Sequence, residues 1–254
     1  MIKKYILTIL ATAFCLISMA QDDLKLKLDS IATSGLEKGI PGIQVIISDS
    51  KGYTIYNYGH HEIEKTTEVN DSTRWRYGSI TKVLTAVMIL QLESEGKLSI
   101  DDSATKYIDL KQHNAAGITI KHLLNHSSGL YNYTASKKLK WEDTPNQCLE
   151  NSLKRKLNFT PGSKYDYCNT GYVILGLIIE KITAQSYQQN ITERIFKPCG
   201  LESMIYCSDD KIPFNTARGY KIKHNKYTDF TEIDHSWANS AGAVLGNLTD
   251  LNKF

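Results

Sequence analysis

The sequence has no internal repeat, no low-complexity tract and no dominant charge, and each absence removes a class of protein. Thirty Lys and Arg against 27 Asp and Glu leave a formal charge of +3, so nothing argues for a nucleic-acid partner. Without repeats, an adhesive or structural module has no support beyond a leader and many tyrosines. Past residue 20 the longest apolar runs, residues 83–92 and 173–179, are too short to cross a bilayer and suit core helices. Cysteine is sparse. Cys148, Cys168, Cys199 and Cys207 remain after the leader, an even number that permits three disulfide pairings in an exported chain, with Cys199–Cys207 the first to test. Metal-ligand spacing is also lacking. His122 and His126 stand four apart, but the glutamate of a zinc-protease helix and a third ligand are missing, which leaves helix-end packing as the plainer reading.

What is present begins with an export signal at residues 1–20. Lys3 and Lys4 precede an apolar run over residues 5–17, and Ser18-Met19-Ala20 offers small residues for cleavage before Gln21. Phe14 before Cys15 disfavours lipid attachment. The expectation is an exported chain, periplasmic or secreted, with no stable membrane span after cleavage. Residues 21–254 are long enough for one domain with a real core, and loss of Lys3 and Lys4 lowers the charge to +1.

Local patterns predict an amphipathic helix closed by Gly39 and Pro41, then two strands joined by a turn at residues 49–52. Helices are expected over residues 79–96, 119–125 and 171–184, and a turn with half a helix after Ala241. A hairpin leading into a largely helical region, residues 80–240, gives an α+β class. An isolated hairpin is marginal in water, so the sheet reads as unfinished.

Ser-x-x-Lys occurs five times, at Ser48, Ser79, Ser94, Ser103 and Ser208, so the bare pattern carries no weight. Only Ser79 opens a strongly apolar helix. There a serine hydroxyl meets the positive end of the helix, and Lys82 lies on the same face three residues on. A desolvated lysine is neutral more readily and accepts the serine proton. The bland alternative is that Ser79 caps the helix and Lys82 snorkels to water. A second element, Tyr167 and Asn169, is expected in a loop before the next apolar helix. Tyr167 suits a proton relay and Asn169 a contact with Lys82 and a substrate amide, although a tyrosine-rich loop also packs well. Trp141, Trp237 and Tyr131 serve equally as cleft walls or core.

Five blocks, beginning YGSITK, ITIKHLLNHSSGL, FTPGSKYDYCNTGY, IFKPCGLESM and SAGAVLGNLTDL, occur in this order. Together they resemble the serine β-lactamase-related family: class C β-lactamases, penicillin-binding D-alanyl-D-alanine carboxypeptidases and related esterases. The resemblance spans residues 35–254 and implies the fold of that group, an antiparallel sheet packed with helices. It also implies an acylated nucleophile at Ser79, a base at Lys82 sharing its role with Tyr167, and a substrate-binding Asn169, with Cys168 where serine is more usual. Neither a Ser-Asp-Asn tripeptide nor a Gly-x-Ser-x-Gly elbow occurs. The implied activity is cleavage of a β-lactam, a D-Ala-D-Ala-type peptide or an ester through an acyl-enzyme. It requires no cofactor or metal, and its partner is a small molecule or a peptidoglycan peptide.

One part of the family pattern is missing. No Lys-Thr-Gly or His-x-Gly strand appears before Phe254, and one oxyanion donor contributed by such a strand is worth roughly 2.7–4 kcal/mol. The expectation is therefore a chain truncated at its C-terminus that folds poorly and turns over little. The alternative function is a non-catalytic peptidoglycan- or β-lactam-binding sensor, or an inactive remnant.

Overall fold

The computed structural model describes residues 23–110, 117–136, 144–207, 212–224, 226–232 and 236–254. The leader, Trp141, and Ser208 with Lys211 lie outside them. The chain divides into two compact units, Met1–Asn70 and Asp71–Phe254.

In the first unit, residues 23–37 form α1, followed by β1 (Gly42–Asp49) and β2 (Gly52–Gly59). The strands pair antiparallel, with Val45 opposite Tyr56 and Asp49 opposite Gly52. The turn is local chemistry, because the Asp49 carboxylate accepts the Lys51 N–H at 2.7 Å. Tyr58 fastens the hairpin to α1 by donating to Asp29 Oδ1 at 2.8 Å.

The second unit is built on two apolar helices. α2 (Thr81–Ser94) buries Leu84, Met88, Ile89 and Leu92, and α5 (Asn169–Thr183) buries Val173, Ile174, Leu175, Ile178 and Ile179, all without solvent exposure. Each such side chain contributes about 1.5–3 kcal/mol by leaving water. The shorter helices α3 (Ile120–Leu124), α4 (Pro145–Leu153) and α6 (Tyr187–Ile191) start at capping boxes closed by Thr119, Thr144 and Ser186. In α3 the box partner is His122, whose Nδ1 accepts the Thr119 N–H at 3.3 Å. Its task is structural, and among the described residues there is no metal-holding cluster.

A small antiparallel sheet runs β3 (Arg74–Arg76), β7 (Val244–Asn247), β4 (Ile205–Tyr206), and β5 (Tyr220–Lys223) pairs with β6 (Lys226–Asp229) as a separate hairpin. Three sequence expectations change here. Residues 244–247 are the central strand of a sheet, not a turn, and α7 (Leu248–Lys253) follows. Gly246 lies inside that strand. Its real constraint is space, because a Cβ there would meet Tyr77 Oη at 2.8 Å and Met204 Cγ at 2.9 Å. α5 begins at Asn169, two residues early, since its first N–H is capped by Asn132 Oδ1 at 3.3 Å from 37 positions away. Finally, no disulfide joins Cys148, Cys168, Cys199 and Cys207, and the expected Cys199–Cys207 pair is split, with Cys199 exposed and Cys207 buried.

Candidate active site

The site begins where β3 meets α2. Gly78 adopts φ +52°, a left-handed conformation that a side chain resists, and this bends the chain into a single 3-10 turn, Gly78–Ile80, that presents Ser79. Ser79 is exposed, while Lys82 is only 6% exposed. The reason is helical spacing: Lys82 heads the buried stripe of Thr85, Met88, Ile89 and Leu92. Ser79 is not the cap of α2, which starts from Ile80 without a side-chain cap. Nor does Lys82 snorkel. Its Nζ donates to the Ala241 carbonyl at 2.6 Å and lies 3.1 Å from Ser79 Oγ.

Among the described residues Lys82 pairs with no carboxylate. Burial pushes its amine below the usual ammonium range, and the neighbouring Tyr167 hydroxyl partly offsets the shift. The ring faces of Tyr167 and Tyr172, with centroids 5.0 and 5.5 Å from Nζ, soften the cost of the protonated form. Nζ thus donates both to the Ala241 carbonyl and to Ser79 Oγ.

Tyr167 comes from the opposite side. Its hydroxyl donates to Ser79 Oγ at 2.7 Å, so amine, alcohol and phenol meet at one oxygen. The loop carrying it is pinned at several points. Asn132 Nδ2 donates to the Tyr167 carbonyl at 3.4 Å, and the Cys168 N–H donates to His126 Nδ1 at 3.2 Å. Cys168 stands with its side chain inward, its Sγ donating to the Leu130 carbonyl at 3.3 Å. Burial raises that thiol's pKa, which leaves it a packing group. Asn169 lies in the same cleft, but its amide donates to Thr134 Oγ1 at 3.1 Å and makes no hydrogen bond to Lys82. The expected Asn169–Lys82 contact is thus replaced, because the early start of α5 directs the side chain toward Thr134.

A cleft of about 320 Å³ opens over this cluster, lined by Ser79, Tyr133, Thr134, Asn169, Trp237 and Gly242 among others. Trp237 is therefore a wall. Tyr131 is not part of this lining; its carbonyl accepts from Thr170 Oγ1 at 2.7 Å and its ring lies under Arg155. A larger cavity of about 480 Å³ beside α6 holds none of the sequence-predicted residues. Sequence reasoning missed Ala241, Asn132 and the part played by His126. Only the quoted NHSSGL and SAGA blocks marked their neighbourhoods.

The description of the Beta-lactamase family matches residues 26–254. The chain belongs to the Beta-lactamase family. Its helix-and-sheet architecture is that of serine β-lactamases and transpeptidases. Protein flp of Staphylococcus aureus strain MW2 is 30% identical, over 92% of this chain and 48% of its own length. The putative penicillin-binding protein PbpX of Bacillus subtilis strain 168 is 30% identical, over 86% of this chain and 54% of its own. This family member spans about half the length of the curated relatives it matches. Among solved structures, the D-amino acid amidase of Ochrobactrum anthropi SV3 superposes with a TM-score of 0.81 at 26% identity, covering 91% of this chain and 69% of the amidase. A D-stereospecific amidohydrolase from Streptomyces sp. gives 0.78 at 28%, covering 88% and 69%.

Proposed function

We propose that this chain carries the nucleophile of an exported serine hydrolase that works through an acyl-enzyme on Ser79. The observation that carries the reading is the convergence of Lys82 Nζ and Tyr167 Oη on Ser79 Oγ, at 3.1 and 2.7 Å, with the lysine buried and without a carboxylate partner among the described residues. Neutral Lys82, relaying through Tyr167, takes the Ser79 proton as Oγ adds to the substrate carbonyl carbon. The same pair returns that proton to the departing nitrogen or oxygen. Water then adds to the acyl-enzyme with the pair again as base, releasing the carboxylic acid and restoring Ser79.

Asn169 and Thr134 supply amide and hydroxyl groups for a substrate amide, and Tyr133 and Trp237 give the cleft an apolar wall. The candidates are a β-lactam, a D-Ala-D-Ala-type peptide, or an ester. The names of the amidase and the amidohydrolase favour an amide beside a D-configured residue. The basic start and apolar run of residues 1–20 support export with a cut after Ala20, and N-terminal sequencing of the mature protein should begin at Gln21.

Incubating the full natural protein with a fluorophosphonate and with a fluorescent penicillin tests the reading. A covalent adduct mapped to Ser79 and abolished in Ser79→Ala is expected. No adduct with either probe on folded protein overturns it, while a penicillin adduct that never releases product would make the chain a sensor.

A further inference from the structure

His126 grips the tyrosine loop on both sides of Tyr167. Its carbonyl accepts the Asp166 N–H at 2.9 Å, and its Nδ1 accepts the Cys168 N–H at 3.2 Å. Its ring lies on Tyr167, with centroids 4.5 Å apart, and against Tyr172 at 5.2 Å and Tyr165 at 6.0 Å. The residue adopts φ +60°, a left-handed conformation that histidine enters at a cost. An amide donor at Nδ1 assigns the ring proton to Nε2 in the neutral imidazole.

The groups facing the ring are Lys82 from α2, Tyr172 from α5, and Tyr165, Tyr167 and Cys168 from the loop. Lys82, once protonated at the acid end, is the cation of the set, and the Asp166 carboxylate is turned to Asn158 Nδ2 at 3.3 Å. Burial, then the Lys82 charge, lower the imidazole pKa below its ordinary value. A proton on Nδ1 would set donor against donor at the Cys168 amide.

We propose that His126 is the positioning residue of the site: its neutral imidazole accepts the Cys168 amide and packs on Tyr167, holding that hydroxyl on Ser79, and its protonation releases the loop. The proposal rests on the acyl-enzyme reading. The sign follows from the neutral form being the competent one. Activity is retained above the lowered folded pKa of His126 and lost as the pH falls through it. Neutral Lys82 already makes the rate depend on one proton, so His126 adds a second at the acid end.

The test is the rate of Ser79 modification by a fluorophosphonate on the full natural protein, from about pH 5 to about pH 9. Wild type should change from a one-proton to a two-proton dependence toward acid. His126→Asn offers Oδ1 in place of Nδ1 and tolerates the left-handed backbone, so it should react within about threefold of wild type at alkaline pH and keep a one-proton limb. His126→Phe keeps ring packing but loses the acceptor, and should be at least about tenfold slower. Adding Tyr167→Phe to it should cost little more than Tyr167→Phe alone. Wild-type rates in His126→Phe, or a two-proton limb in His126→Asn, overturn the proposal, whereas no labelling of wild type overturns the Ser79 reading instead. Should His126→Phe not fold, nitrogen NMR of wild type decides. An unprotonated Nδ1 supports the proposal and an Nδ1–H tautomer refutes it.

Discussion

Ser79 and Lys82 share one helical turn, whereas Tyr167 reaches the same oxygen from 88 residues away. The first half of the cluster is made by spacing: a glycine bend, a serine, and a lysine three positions on that leads the buried stripe of α2. The second half has no such local support. It is an exposed tyrosine on a loop, held by Asn132 and His126 from the α3–α4 connection and by the start of α5. A serine and a lysine can therefore be set side by side by a short peptide pattern, while the burial of the lysine and the approach of its phenol partner need the unit folded around them.

Changes that separate the two halves sharpen this contrast. The largest effect on rate should come from Lys82→Met, with Ser79 modification falling about 10²–10⁴-fold. The same variant should melt at a higher temperature near neutral pH. With its folded pKa lowered, the buried amine destabilises the protein below the ordinary lysine pKa, and methionine removes that cost. A lower melting temperature would show that Lys82 helps hold the fold. Tyr167→Phe keeps the contact with His126 and deletes one hydroxyl. It should slow Ser79 modification about 10²-fold with melting unchanged, as measured by calorimetry.

Asn132→Ala probes the support of the second half alone. Losing its bonds to the Tyr167 carbonyl and the Asn169 N–H should slow the reaction about tenfold and cost about 1–2 kcal/mol in denaturant unfolding. A rate loss in Asn132→Ala equal to that of Lys82→Met would erase the distinction. The smallest effect should be Glu95→Gln, remote from the cleft. The Arg194 guanidinium, then Lys97, hold the Glu95 carboxyl at about 2. Its contribution is present above the ordinary glutamate pKa and is lost as the pH falls toward about 2. Since the side chain is 35% exposed, screening keeps that contribution below about 1 kcal/mol, and the reaction rate should not move.

The hairpin of residues 42–59, α2 and α3 were legible because their signals are local: β-branched alternation, an Asp-turn, an apolar stripe and a capping threonine. β7 was not. Its four residues are too short a run to mark a strand after Ala241, and only the approach of Tyr77 and Met204 shows why Gly246 must be there. His126 was visible merely as one of two histidines four apart. The fold gave them different work, one capping α3 and the other packed on Tyr167.

By itself the sequence determined a serine and a lysine on one face of a helix mouth, a tyrosine ahead of a second apolar helix, and the order of blocks that marks the family. Tertiary structure decided whether the lysine kept its water, which oxygen the tyrosine reached, and where Asn169 pointed. Those outcomes depend on burial and on hydrogen bonds between residues tens of positions apart, and a linear pattern carries neither the desolvation nor the distance.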